Sequence, residues 1–539
     1  MGKATVEIDE REAELLRSCE IRNGEFVRYF GKQNEIVIPD SVSVIGEDAF
    51  RNNKKILRVV LGRNVSVIRA GAFKGCTFLQ SITIPSGLRE IGDEAFFGCE
   101  SLITVLLPNT VVKIGTGAFR GCRSIKRFEL SCNAETILDY AFYGCESLEE
   151  LELPPSLTRI RRATFFNCKS LRRLEIPSSV RTVGHYAFAY CTSLEQLEMP
   201  TELAYMGSGV LTGCTTLKRF DVPAGVHFIG EYFFAGCHSL REVTFSDEIN
   251  FIGRNAFCGC ESLERLDLPQ ALRYIGYAAF LGCSAIRSLT VPSQVSEIEE
   301  RAFACCHGLE KMELLTDSLE TLENETFADC SALTTIILPD GIRQIGERSF
   351  ARCTSLASVH IPRGLCRLGD RAFEGCESLA SVSLPVAVRE VGEAAFVGCT
   401  SLSTVILPDH KIKVGAGAFA ACDALEVLVL SDSVHGIRRK CIRWQVAERA
   451  NVILHSELKL AIVFSKLGKP ETEDGHKKLL RAEARRLLKQ VKKRNNLHST
   501  ATLRENIASA AQAIEEQINP TEEEITPTEE ESSSPAEGE

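Results

Sequence analysis

The chain has 539 residues, 44% of them hydrophobic and 25% charged, with a formal net charge of −10. That length is more than one ordinary core fills, so several domains or one repeat array are expected. Ten Glu and no base lie from Glu515 to the end, which leaves the rest balanced and without the global basic field that attracts nucleic acid.

At the start, Met1 to Glu10 is polar and acidic and has neither the basic start nor the apolar run of a secretory signal. No stretch of about 18 apolar residues occurs, so no transmembrane helix is expected. The expected location is the cytoplasm. Residues 1–23 are expected to form an N-terminal cap.

Residues 24–440 repeat. The segment Leu148 to Ser170 reads LEELELPPSLTRIRRATFFNCKS, and the next 23 residues read LRRLEIPSSVRTVGHYAFAYCTS. The shared pattern is L-x-x-L-x-L-P-x-x-V-x-x-I-G-x-x-A-F-x-G-C-x-S. Its cysteine runs from Cys76 to Cys306 in unbroken 23-residue steps. One extra residue enters between Leu315 and Leu319, and the step resumes from Cys330 to Cys422. Asn53 holds the same place in the first coil, giving seventeen coils; the aromatic three residues earlier is Phe in all but one, where Leu211 stands.

Each part of the pattern has a physical reading. L-x-x-L-x-L ends in period-two alternation, a short strand with one buried face. The Pro that follows, such as Pro154 or Pro177, ends the strand because it has no N–H to donate. The I-G pair is expected to turn the chain. Arg69, Leu138, Arg161, Glu299 and Glu323 replace that Gly in five coils, so the turn is not expected to need a left-handed residue. A-F-x-G-C is too short for a stable helix alone and reads as one turn with Phe and Cys inward. A single coil cannot bury its apolar side, whereas stacked coils can. The expected fold is an α/β-type repeat solenoid with short parallel strands.

After Cys422 the repeat decays. Trp444, Val446, Ala447, Val452, Ile453 and Leu454 are expected to cap the open end. Lys477 to Arg494 holds nine bases and one acid, with Leu480, Ala484, Leu487, Leu488 and Val491 at helical spacing. This basic amphipathic helix admits docking on the solenoid or acidic tail, contact with a membrane surface or partner, or contact with nucleic acid. Residues 441–518 are thus expected to be a cap and helices, and residues 519–539 a disordered acidic tail.

The repeat residues closely resemble the Treponema-type, or BspA-like, leucine-rich repeats, whose pattern contains I-P-x-x-V-x-x-I-G-x-x-A-F-x-x-C, as in Ile84 to Cys99. The segment from Arg22-Asn23-Gly24 through EFVRYFGKQNEIVIPDSVSVIGEDAF is similar to the start of many bacterial members. The resemblance implies a leucine-rich-repeat fold and protein binding in general, some relatives being cell-surface adhesins.

Chemistry is not expected. The repeat cysteines read as small buried hydrophobes, free and reduced. Cys258-Gly-Cys260 and Cys305-Cys306 lack a second ligand pair at zinc spacing. His185, His227, His238, His307, His360 and His410 fall at outward, variable positions. No H-E-x-x-H, phosphate loop, G-x-S-x-G or dinucleotide fingerprint stands in a fitting context. Neither cofactor nor metal is expected.

The variable strand positions are therefore the candidate site. The column between the two buried strand positions carries Glu129, Glu152, Glu175, Glu198 and Asp221, with neutral residues towards both ends. Two residues earlier, on the same face, Arg127, Arg173 and Arg219 alternate with Glu150 and Gln196. Arg127–Glu129, Arg173–Glu175, Arg219–Asp221, Arg265–Asp267 and Lys311–Glu313 are expected pairs. Two readings stand: a solvated sheet that avoids self-repulsion, or a polar surface that docks a protein. The functional expectation is a monomeric, non-catalytic interaction scaffold with a protein partner and no nucleic acid. The alternative is a surface or exported adhesin.

Overall fold

The computed structural model describes residues 14–430 and the strand Asn451–Leu454. They fall into two compact units, Met1–Leu356 and Ala357–Glu539, built from the same kind of coil. The expected helices within 441–518, the cap residue Trp444 and the tail 519–539 lie outside the described residues.

The first unit opens with an antiparallel hairpin, Cys19–Arg22 against Glu25–Tyr29. Asn23 and Gly24 turn it with φ of 48° and 78°, the conformation a tight primed turn requires. The hairpin straddles the expected boundary after residue 23 and joins the array directly. Phe26 is buried and stacks on Phe50 at 4.8 Å, so the hairpin supplies the first ring of the core.

Within a coil, alternation produces a three-residue strand whose outer residues are exposed and whose middle residue is buried, as in Arg58–Val60, Thr104–Leu106 and Arg127–Glu129. Successive strands pair in parallel and in register, with Arg127 opposite Thr104 and Glu129 opposite Leu106. The Pro carbonyl then accepts the N–H three residues on, as Pro108 does from Val111 at 3.1 Å, closing a turn.

The x-I-G stretch, expected as a bare turn, is a second strand. Val67–Ile68 pairs in parallel with Glu90–Ile91 and with Val44–Ile45, making a second ladder. The glycine after it is needed for close approach rather than for φ. A Cβ on Gly92 would lie 2.6 Å from the Ala70 nitrogen, and one on Gly115 2.5 Å from the Gly92 carbonyl carbon.

A-F-x-G-C forms a turn, as expected, but the coils contain no helix, so the α/β designation is corrected to a β-solenoid of strands and turns. The reason is local. Two residues in each coil take positive φ, one before A-F and one before Cys, such as Glu94 (53°) and Gly98 (69°). Left-handed residues at both ends prevent a right-handed helix from propagating. The N–H groups alternate instead. Those of Phe73 and Gly75 donate to the next coil, and those of Lys74 and Cys76 donate within their own.

The core lies between the ladders and these turns. In the first unit, rings from Phe26 through Phe188 stack almost parallel, Phe165 on Phe188 at 5.6 Å and 6°. Leu211 interrupts the column. Phe233, in a position that is usually Ala, fills the volume against Phe234 at 4.6 Å, and both are fully buried. Thr164, Thr326 and Ser349 occupy that Ala position elsewhere; each hydroxyl donates to a carbonyl three residues back, at 2.9, 2.7 and 2.9 Å. The extra residue is absorbed after the strand Lys311–Leu314. Leu315 is pushed out to 56% exposure, while buried Thr316 donates to the Val295 carbonyl at 2.5 Å.

The second unit repeats the plan. Ser381–Ser383, Thr404–Ile406, Val427–Leu430 and Asn451–Leu454 form one parallel sheet. Phe373, Phe396 and Phe419 stack at 5.3 and 5.5 Å. Val452, Ile453 and Leu454, expected to cap the open end, belong to the strand that extends this sheet.

Candidate functional site

The face is set by the three-residue strands. Their middle residues, such as Phe128, Leu174, Leu197 and Phe220, are buried, so the flanking residues point outward. Arg127, Glu129, Glu152, Arg173, Glu175, Glu198, Arg219 and Asp221 are all exposed, as the alternation requires. The register places Glu175 beside Glu198 and Arg173 beside Gln196; likewise Asp221 stands beside Thr244 and Arg219 beside Glu242.

Three of the five expected pairs form. Arg127 bonds Glu129, Arg219 reaches Asp221 at 3.1 Å and Glu242 at 3.4 Å, and Lys311 reaches Glu313 at 2.8 Å. Among the described residues no ion pair joins Arg173 with Glu175 or Arg265 with Asp267. Exposed pairs of long side chains gain little over hydration, so such pairing is optional. Gln196 instead donates to Glu198 at 2.5 Å. The Thr244 hydroxyl, and then Arg219, hold the Asp221 carboxyl below the usual range; Lys311 does the same for Glu313. These acids are ionised acceptors at neutral pH.

A third exposed column went unread in the sequence. Lys126, Glu149, Arg172, Glu195, Lys218, Arg241 and Glu264 precede the first strand residues, and all are exposed. They lie one residue before the alternation begins, where period two does not say which way a side chain points. The coil at Leu148 thus presents Glu149, Glu150 and Glu152 together. Regular pairing lapses at this coil, as it also does between Gln196–Glu198 and Arg219–Asp221 and between Arg265–Leu266 and Ser288–Val291. One sheet ends at Arg127–Glu129, the next begins at Arg173–Glu175, and a single bridge from Arg127 to Glu150 remains between them.

The cysteine column is a second regular array, but not a reactive one. The Sγ atoms donate to carbonyls of the preceding coil, Cys99 to Phe73 at 3.2 Å, Cys214 to Phe188 at 3.2 Å and Cys237 to Leu211 at 3.1 Å. Cysteine here is a thiol donor as well as a small apolar filler. Burial pushes the Cys76, Cys191, Cys237, Cys306 and Cys353 thiols up to about 12. A thiol held neutral is a poor nucleophile and a poor metal ligand. Among the described residues no group of three or more His, Cys, Asp or Glu is arranged to hold a metal ion. No helix among them is long and apolar enough to cross a membrane. What the arrangement offers is a ribbon of fixed, alternating charge.

Comparison with known proteins agrees on the repeat. The BspA-type leucine-rich repeat region, a six-copy pattern, matches residues 20–146, 135–264, 211–334, 250–376 and 320–446. No functionally curated protein matches the chain. Among solved structures, a leucine-rich repeat protein from Bacteroides ovatus is 25% identical over 80% of this chain and 94% of its own, with a TM-score of 0.41. The leucine-rich repeat protein of T. pallidum is 30% identical over 32% of this chain and 83% of its own, with a TM-score of 0.30. A leucine-rich cell surface protein from Faecalibacterium prausnitzii is 23% identical over 71% of this chain and 89% of its own, with a TM-score of 0.36.

Proposed function

The chain belongs to the BspA-type leucine-rich repeat family, and from that premise we propose that it is a non-catalytic scaffold that docks a partner protein along its first-strand face. The observation that carries the reading is the exposed charge ribbon centred on Glu129, Glu152, Glu175, Glu198 and Asp221, interleaved with Arg127, Arg173 and Arg219. Its side chains stand on a backbone fixed by the buried residues between them, so a partner meets a preorganised surface. The cluster of carboxylates calls for a partner that presents basic groups in a matching row.

The test is a pull-down with the full chain and with a variant carrying Glu152→Lys, Glu175→Lys and Glu198→Lys. These side chains face solvent, so the variant keeps its fold, checked by circular dichroism. It loses the partner, and the loss narrows at high salt, where screening acts within about 3 Å at 1 M. Single pairs on such a surface contribute only about 0.2–1 kcal/mol, so three changes are combined. Retention of every partner by the folded variant removes the ribbon as the site.

We also propose that the chain works in the cytoplasm. Supporting this, the described repeat cysteines are free and bonded as thiols to carbonyl groups. A regular set of disulfides between coils, found by mass spectrometry of the native protein, would contradict it.

A further inference from the structure

The second ladder carries a site of different character, all of it within the first unit. A cleft of about 530 Å³ is lined by Phe251, Tyr274, Tyr277, Arg254 and the carboxylates Glu231, Glu297, Glu299, Glu300 and Glu323. Phe251 and Tyr274 occupy the same place in successive two-residue strands and stack face to face at 4.6 Å and 2°. Both rings line the cleft, and Tyr274 stands beside Glu297 of the next strand. Tyr277 already receives a cation, since the Arg254 guanidinium sits 4.6 Å above its ring.

The charge on these walls is not internally balanced. Glu300 has Arg301 at 4.0 Å, and Arg301 is drawn more closely to Glu325 at 2.8 Å. Glu299 is held in place by the Tyr277 backbone N–H, which donates at 2.6 Å. Glu231, Glu297 and Glu323 make no ion pair among the described residues. Partial burial and the crowding of Glu300, Glu297 and Glu299 raise the Glu323 carboxyl above its ordinary range, as an unmet negative field does.

A row of carboxylates alone would be a solvated face. Here the carboxylates border a concave cleft lined by aromatic rings, and one of them, Tyr277, already carries a guanidinium on its face. Glu297, Glu299 and Glu300 share one coil and Glu323 stands in the next, while Glu231 lies on the other side of the coils that carry Phe251 and Tyr274. Carboxylates on both sides of the rings suit guanidinium or ammonium groups strung along a chain, and among the described residues no group of three or more His, Cys, Asp or Glu is arranged to hold a metal ion. We propose that this cleft binds an arginine- or lysine-bearing peptide segment, its cationic head groups lying beside Phe251 and Tyr274 between the carboxylates on either side. This site lies on the second ladder and is separate from the charge ribbon of the first strands.

The experiment titrates a labelled oligoarginine peptide into the full chain and follows anisotropy. Two cleft variants are compared with the parent, Tyr274→Leu and the double change Glu297→Gln with Glu323→Gln. Neither removes Glu299, whose backbone bond supports the local fold. The ribbon variant with Lys at positions 152, 175 and 198 is run in parallel. Tyr274→Phe, which keeps the ring, serves as the conservative control. Each cleft variant weakens binding, the double change by about tenfold, as the loss of two partly desolvated charge contacts implies. Tyr274→Phe retains parent affinity, and the ribbon variant keeps the cleft phase. Binding within about twofold of the parent by both folded cleft variants, a ratio well inside the loss of one such contact, would overturn the site. So would binding of calcium ions that displaces the peptide and is abolished by the double change alone, with Tyr274→Leu unaffected, because the rings would then have no part. Loss in the ribbon variant only would assign the peptide to the first-strand face and leave the cleft empty.

Discussion

At the scale of single residues, the cysteines show how a repeat position acquires its chemistry. Their spacing was plain in the sequence, and so was their burial. Their hydrogen bond was not, because donation from Sγ to a Phe carbonyl 26 residues earlier depends on how coils are offset. Burial raises the folded thiols to about 12 from an ordinary value of 9.0. Below about pH 9, folded and unfolded chains keep the same protons, so this contribution to stability is complete. Between about 9 and 12 only the unfolded thiols ionise, and stability falls by up to about 1.4 kcal/mol per thiol per pH unit. Urea unfolding across that range should show a steep drop. Replacing Cys191, Cys214 and Cys237 by Ala should make the drop shallower, although the variant starts less stable. An unchanged slope would mean that these thiols are not shielded.

At the scale of the element, the first strand was legible and the second was not. Three alternating residues bounded by Pro carry a period, whereas two residues such as Glu90–Ile91 are too few to show one. The positive-φ turns were equally hidden where Tyr140, Arg301 or Ala421 stands in place of glycine. The Phe column was legible because its period is that of the repeat itself. Phe188 is fully buried and stacked on Phe165 at 5.6 Å. Phe188→Ala should therefore cost roughly 3–5 kcal/mol in denaturant melts. A cost under about 1 kcal/mol, well below that range, would show that neighbouring coils collapse into the vacated volume. The candidate ribbon was read from the sequence in two of its three columns. The cleft on the second ladder was not read at all, since it depends on a strand whose existence the pattern did not announce.

At the scale of the molecule, repetition separates stability from recognition. Buried columns of Phe, Leu, Ile and Cys recur with little change, and the outward positions vary freely within the same frame. In the function proposed above, recognition is by charge on a preformed surface, the first-strand face of the first unit. Hydrogen–deuterium exchange of the full chain, with and without its captured partner, tests this most directly. Docking on that face predicts added protection on the strands Arg127–Glu129, Arg173–Glu175, Gln196–Glu198 and Arg219–Asp221. Protection confined to other segments, with these four strands unchanged on binding, would contradict it.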